Sequence, residues 1–363
     1  MKIICLLSSL SQPRCIKRVN SFVEAGYEVE VYGYSRGFYD INKFPDNVKV
    51  TNWGIIASGE NYVQRLFRNI KAIRRICSHE KKSRVLYYSF GFDFSLVFSI
   101  MKPNMYIYES SDLIYTYLSN KFLTTLFRGI DKMLIKRSYK TIFTSEGFRD
   151  YLYGNFFPKN IIVQPNKVSS YFRGINRKSK NYDTIIGLRF AYVGAFRYPN
   201  TVFRFARVLG EKYPQHSFYF YGDSQYTSLA KELAEKYENI KYFGKFKSPE
   251  DLERIYSTID VVVACYDIST LNERIAEPNK LYEAICFCCP IIVSIGTLLE
   301  KKIKKWNIGY AIDASNDESI EALLDNLDFG ELDEMSLNEK RLGEGVFMDS
   351  PQEIINAIRI YSE

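Results

Sequence analysis

Histidine occurs only twice in 363 residues, at His79 and His216. Zinc hydrolase chemistry and histidine-dependent nucleophiles therefore have too few imidazoles to work with. No Asp-x-Asp pair is present to clamp a divalent cation. Gly-x-Gly-x-x-Gly and Walker-type loops are missing too, so a dinucleotide oxidoreductase or an NTPase lacks its phosphate cradle. No stretch approaches the roughly 20 apolar residues of a spanning helix. The opening run Met1–Leu7 is too short for a signal peptide, and Gln12, Arg14, Lys17 and Arg18 follow it at once; it reads as a first strand. The seven cysteines are an odd number, which fits a reduced cytoplasmic compartment, and the cluster Cys286, Cys288 and Cys289 reads as buried structural thiols.

Aromatic side chains are plentiful, with 29 Tyr and 26 Phe, and the net charge is +7. The charge is concentrated in the first half. Arg65, Arg68, Lys71, Arg74, Arg75, Lys81, Lys82 and Arg84 interleave with Leu66, Phe67, Ile70, Ile73 and Ile76 at near-helical spacing, which predicts a basic amphipathic helix over 62–84. A second runs over 127–140, with Arg128, Lys132, Lys136, Arg137 and Lys140 around Ile130, Met133, Leu134 and Ile135. Solvated faces explain such charge, and so does an anionic membrane surface. No nucleic-acid-binding motif accompanies it, so nucleic acid is not expected as a partner.

Short apolar runs alternate with helical patterns, as in parallel sheets built from βα units. Strands are predicted at 2–7, 29–34, 48–52, 85–89, 105–109, 141–144 and 161–164, with a first helix at 15–25. The polar, aperiodic stretch 173–185 is expected to be a linker between two domains, 1–172 and 186–347. The second domain is predicted to hold strands at 188–193, 217–221, 240–243, 261–265 and 291–294, with helices at 201–212, 225–237 and 280–287. Ser248-Pro249-Glu250-Asp251 reads as a helix start with Ser248 as N-cap. A closing helix within 348–363 is expected to pack back toward the first domain.

Three strands of the second half end on glycine, at Gly194, Gly222 and Gly244, where the backbone can turn sharply or approach a ligand. Glu277-Pro278-Asn279-Lys280-Leu281-Tyr282-Glu283 then opens a helix. Its free N–H groups and positive dipole end suit a diphosphate, Lys280 adds a cation, and Glu283 lies one turn along, within reach of ribose hydroxyls.

These residues resemble a GT-B glycosyltransferase of the large retaining group, glycosyltransferase family 4 or glycosyl transferases group 1. The likeness is strongest in Pro278–Ala284 followed by Pro290–Ser294. It continues through Val193-Gly194-Ala195-Phe196-Arg197 and Tyr256–Val261, and in the opening segment from Pro13 to Val29. It implies an α/β fold of two Rossmann-like, doubly wound parallel-sheet domains facing across a cleft. It implies sugar transfer from a nucleotide-sugar donor to a saccharide acceptor, lipid-linked in capsule, O-antigen or exopolysaccharide assembly, at the inner membrane face, with no cofactor or metal.

Carried over residue by residue, Arg197 and Lys280 would hold the diphosphate and stabilise the leaving nucleotide, and Glu283 the ribose. Gly244, Lys245 and Phe246 would border the base, with Gly194, Gly222, Tyr266, Pro278, Asn279 and Leu281 completing the donor site. Glu109 and Asp112 are the candidates for contacting sugar or acceptor hydroxyl, and Ser8 and Arg14 for the acceptor. The sequence departs from the family at Ile275, where many members place a first glutamate, and at Tyr108–Asp112, where relatives often carry histidine. A sugar-nucleotide epimerase of the same overall fold, and a catalytically silent carbohydrate- or partner-binding protein, are the competing readings.

Overall fold

The computed structural model describes residues 1–35, 44–56, 62–79, 84–183 and 186–363, without the side chains of Tyr62, Val63, Arg65 and His79. Lys81 and Lys82, named above, and residues 184 and 185 of the expected linker lie outside the described residues. The chain divides into two compact units, Met1–Pro165 with Ser350–Glu363, and Asn166–Asp349.

The first unit holds β1 (Lys2–Leu7), β2 (Glu28–Ser35), β3 (Lys49–Ile55), β4 (Val85–Phe90), β5 (Tyr106–Ser110), β6 (Lys140–Phe143) and β7 (Ile161–Val163). They form one sheet in the order β3-β2-β1-β4-β5-β6-β7, parallel throughout. Helices cover both faces of such a sheet, so its inner strands must be apolar on both sides. β4 is buried at every residue, whereas the edge strand β3 is largely exposed. The helix Gln352–Ser362 belongs to this unit. Its Ile354, Ala357 and Ile358 pack in the core with Ile3, Cys5 and Ile142, and Tyr139 Oη donates to Ala357 O at 2.8 Å.

The second unit holds β8 (Arg189–Val193), β9 (Ser217–Tyr221), β10 (Ile240–Gly244), β11 (Val261–Ala264), β12 (Ile291–Ser294) and β13 (Gly309–Ile312), in the order β10-β9-β8-β11-β12-β13, again parallel. Strand order reverses between β8 and β11 here and between β1 and β4 in the first unit. The carboxyl ends at such a reversal are where doubly wound sheets bind ligands.

Several local expectations are corrected. The second basic helix spans Lys121–Arg137, six residues earlier than expected, because Asn120 caps it by accepting from Phe122 N and Leu123 N; Lys140 opens β6 instead. The first basic helix is described over Tyr62–His79, and the rest of its expected span before Arg84 lies outside the described residues. Ser248 does not cap a helix. The helix is Leu252–Ser257, and Asp251 reaches back to accept from Lys247 N at 2.8 Å. The polar stretch expected to be a linker is fastened to the second unit. Arg177 donates to Ile285 O, Cys286 O and Leu342 O, and Lys180 Nζ to Ile259 O at 2.6 Å.

Candidate active site

At the β8 end, Gly194 has φ +126° and Gly222, after β9, has φ +138°. Gly194 N donates to Tyr221 O and Gly222 N to Gly244 O, both at 2.8 Å, so each chain folds over its neighbour. A Cβ on Gly222 would stand 2.1 Å from Gly194 O, and one on Gly194 would stand 3.0 Å from Lys280 Nζ. Gly222 therefore requires glycine for approach as well as for φ, and Gly194 for φ. The three strand-end glycines form one continuous rim, and Lys280 touches it.

Lys280 sits in the first turn of the helix Asn279–Phe287, which has Pro278 at its N-cap position and no side-chain cap. Its first N–H groups thus keep their donor capacity toward an anion. The other end closes with Cys288 in the left-handed region and Cys289 N bonded to Ala284 O at 3.0 Å, a Schellman-type stop. Leu281, Ala284 and Ile285 lie in the core of the unit. The Lys280 ammonium is buried, 4.4 Å from the Tyr192 ring centroid and 5.7 Å from that of Tyr266. Burial, reinforced by the Arg197 charge and opposed by Glu283, lowers its pKa to about 8. Arg197 itself is exposed.

Glu283 lies one turn on and is buried. Its Oε2 accepts from Tyr256 Oη at 2.9 Å, and its Oε1 accepts from Asn279 Nδ2. Tyr266 stacks on Tyr198 with ring centroids 4.3 Å apart. Lys245 is exposed and pairs with Asp223 at 3.3 Å, and Phe246 packs at the edge of the core. Glu277, just ahead of Pro278, is buried against Lys302 at 2.9 Å and accepts from Tyr282 Oη. That pair holds the entrance of the helix.

In the first unit the four candidates part company. Glu109 is fully buried at the end of β5. Arg14 Nε lies 3.2 Å from Glu109 Oε1 and Arg18 Nε 3.3 Å from Oε2, with Tyr88 Oη donating to Oε2. A carboxylate between two guanidiniums is a cross-link joining the first helix to the sheet, and Arg14 is spent on it. Asp112 is exposed in the loop beyond β5, and Ser8 is half-buried beyond β1. Only these two reach the surface with polar groups.

All seven cysteines are free and buried. Burial pushes the thiols of Cys286, Cys288 and Cys289 up to about 12, 11 and 12. His216 is buried at the amino end of β9, where Nδ1 accepts from Leu188 N at 3.0 Å. Among the described residues no three His, Cys, Asp or Glu side chains come together to hold a metal ion. Sequence reasoning missed Tyr256 and Tyr192 as partners of Glu283 and Lys280. They are separated by tens of residues, and only the strand order brings them together.

Two parallel-sheet α/β units of this topology define the GT-B fold of glycosyltransferases. Residues 187–338 match the family model of the glycosyl transferases group 1; the chain carries a domain of that family and is a glycosyltransferase. Solved structures of similar fold include sucrose-phosphate synthase from Thermosynechococcus elongatus, at TM-score 0.69 and 14% identity over 99% of this chain and 97% of that one. Anabaena HepE in complex with UDP and glucose gives 0.70 and 13% over 100% and 99%. WaaG, a glycosyltransferase involved in lipopolysaccharide biosynthesis, gives 0.69 and 13% over 99% of both chains. No curated protein sequence matches the chain. No helix among the described residues is long and apolar enough to cross a membrane.

Proposed function

We propose that this glycosyltransferase moves a sugar from a nucleotide-sugar donor to a saccharide acceptor, with retention at the anomeric carbon and with Lys280 and Arg197 in place of a metal ion. The observation that carries the reading is the buried Lys280 ammonium, held against the glycine rim at an uncapped helix start. A buried cation with a lowered pKa asks for an anion, and a diphosphate supplies one. As the anomeric C–O bond breaks, its electron pair leaves with the nucleoside diphosphate. Lys280, Arg197 and the first-turn N–H groups stabilise that growing charge. The acceptor hydroxyl oxygen forms the new bond and passes its proton to the departing phosphate oxygen.

Glu283 takes the ribose. Tyr256 and Asn279 donate to its two oxygens and fix the carboxylate plane from which it would meet the ribose hydroxyls. Gly244, Lys245 and Phe246 border the base, and Ser8 and Asp112 serve the acceptor. Glu109 and Arg14 are left out because they are buried and ion-paired with each other. The relative solved with UDP and glucose supports a nucleotide-sugar donor. WaaG, involved in lipopolysaccharide biosynthesis, supports a lipid-linked acceptor in bacterial surface-polysaccharide assembly, met in the cytoplasm at an anionic membrane face.

Isothermal titration with UDP-, GDP- and dTDP-sugars tests the donor site. One nucleotide series binds the wild type, and Glu283→Ala or Arg197→Ala weakens it by at least about 10-fold. No binding in any series, or full affinity in both variants, overturns the reading. Chelator leaves transfer unchanged if the two cations replace a metal.

A further inference from the structure

One exposed apolar surface is not absorbed by the donor site. Ile114, Tyr117, Leu118, Phe122, Leu123 and Leu126 are exposed by between 37 and 74%, six large apolar side chains within thirteen residues of the first unit. Scattered exposed apolar residues are ordinary, but a contiguous run is not. Its origin is local. The helix Lys121–Arg137 is anchored to its unit by its later turns, through Asp131, Leu134 and Ile135, and by Phe127 against Phe92 at 5.9 Å. Of residues 121–126, only Thr124 is better than exposed, so the first turns project from the body. Phe122 and Leu126, four residues apart, share one face of that projection.

The charges of the segment are one-sided. From Leu113 to Arg137 the basic residues are Lys121, Arg128, Lys132, Lys136 and Arg137, and the sole acid is Asp131. Asp131 is fully buried and accepts from Tyr115 Oη at 2.9 Å. Lys121, Lys136 and Arg137 are exposed. What this segment presents to its surroundings is therefore apolar and cationic. Asp112, at its border, is the nearest exposed acid in sequence.

We propose that Ile114–Leu126 is the membrane-inserting surface of the protein: Phe122, Leu123 and Leu126 enter the acyl boundary of an anionic bilayer while Lys121, Lys136 and Arg137 engage its headgroups. The inference rests on the membrane-face reading above and sharpens it from electrostatic attraction to insertion at named side chains. Apolar insertion survives salt, whereas headgroup attraction is screened within about 10 Å at 0.1 M salt. The segment begins two residues beyond Asp112, so a lipid-linked acceptor held in the same bilayer is delivered to the acceptor side of the first unit.

The test is co-sedimentation of the full chain with vesicles of phosphatidylcholine alone and of phosphatidylcholine with phosphatidylglycerol, at low and high salt. The wild type binds the anionic vesicles and retains a fraction at high salt. Phe122→Ser/Leu126→Ser lowers partitioning by at least about 10-fold and abolishes the salt-resistant fraction. Lys121→Gln and Lys136→Gln each lower low-salt binding by about 5-fold. Both altered sets keep the wild-type far-ultraviolet spectrum and nucleotide-sugar titration. Absence of vesicle binding, complete stripping of the wild type by salt, or wild-type behaviour of the double variant overturns the proposal. So does sedimentation-velocity self-association that the double variant removes, since a second copy would then cover this face. Failure of the donor reading appears separately, as absence of nucleotide-sugar binding in vesicle-free solution.

Discussion

If Lys280 holds the donor as proposed, donor chemistry and stability pull in opposite directions on it. Keeping an ammonium charged where its pKa has fallen from 10.5 to about 8 costs the folded state about 3 kcal/mol. The folded pKa is the lower one, so the cost is full below pH 8 and fades as pH rises from 8 toward 10.5, where the unfolded chain binds the extra proton. Lys280→Met therefore raises the thermal midpoint of the unliganded protein at pH 7 by roughly 2–6 °C while abolishing transfer, and the gain shrinks toward pH 10. An anionic diphosphate restores the ammonium's pKa. Binding near pH 8 then takes up a fraction of a proton, and titration heats vary with the ionisation enthalpy of the buffer. At pH 6 the lysine is already charged and the dependence vanishes. Buffer-independent heats at pH 8 would show that the diphosphate does not meet Lys280.

The element that carries Lys280 and Glu283 is held from behind by one side chain. Arg177 donates to Ile285 O and Cys286 O at the end of the helix Asn279–Phe287, and to Glu339 O, Lys340 O and Leu342 O at the end of the helix Phe329–Arg341. A guanidinium at two carbonyl-bearing helix ends adds donors to those that Cys288 N and Leu342 N already give Ile285 O and Glu339 O, and opposes both dipoles. It also stands near the Glu339 carboxyl, whose oxygens have no hydrogen-bond partner and whose pKa burial drives well up. Arg177→Met should cost about 2–4 kcal/mol, read as a lower urea midpoint, and raise KM for the donor more than it lowers kcat. Arg177→Lys should not rescue it, because an ammonium cannot fan out to five carbonyls. None of this was legible beforehand. Arg177 lies in a polar, aperiodic stretch that looks like linker, and capping at a distance of more than a hundred residues leaves no local signature. The inner strands were readable because burial on both faces makes them apolar throughout, whereas β13, only partly buried, was not among the predicted strands. The strand-end glycines and Pro278–Glu283 were readable because backbone approach and helix initiation are written within a few residues. Glu109 misled for the converse reason: an acid beyond a strand looks available until Arg14 and Arg18 arrive from another helix. The start of the helix at Lys121 was hidden because its first turns lack a buried face, and periodicity is a record of burial.

At the scale of the molecule, the first unit is completed by the end of the chain. Ile354 and Ile358 are fully buried in its core. Ile354→Ala/Ile358→Ala should lower the midpoint of one calorimetric transition, by about 4–8 kcal/mol in stability, and leave the transition of the second unit in place. A common downward shift of both would contradict the assignment of the helix to the first unit.

The second unit is one uninterrupted segment, entered and left through paired chain. Val168 N donates to Phe347 O and Asp349 N to Val168 O, both at 2.9 Å, in a parallel bridge between Val168 and Met348. During synthesis, at about 5–20 residues per second, residues 166–349 leave the ribosome with every contact of their own core already made. The sheet that started first must wait, one apolar flank uncovered, until Gln352–Ser362 arrives. The second unit is thus complete in sequence before the first, whose sheet is sealed only by Gln352–Ser362.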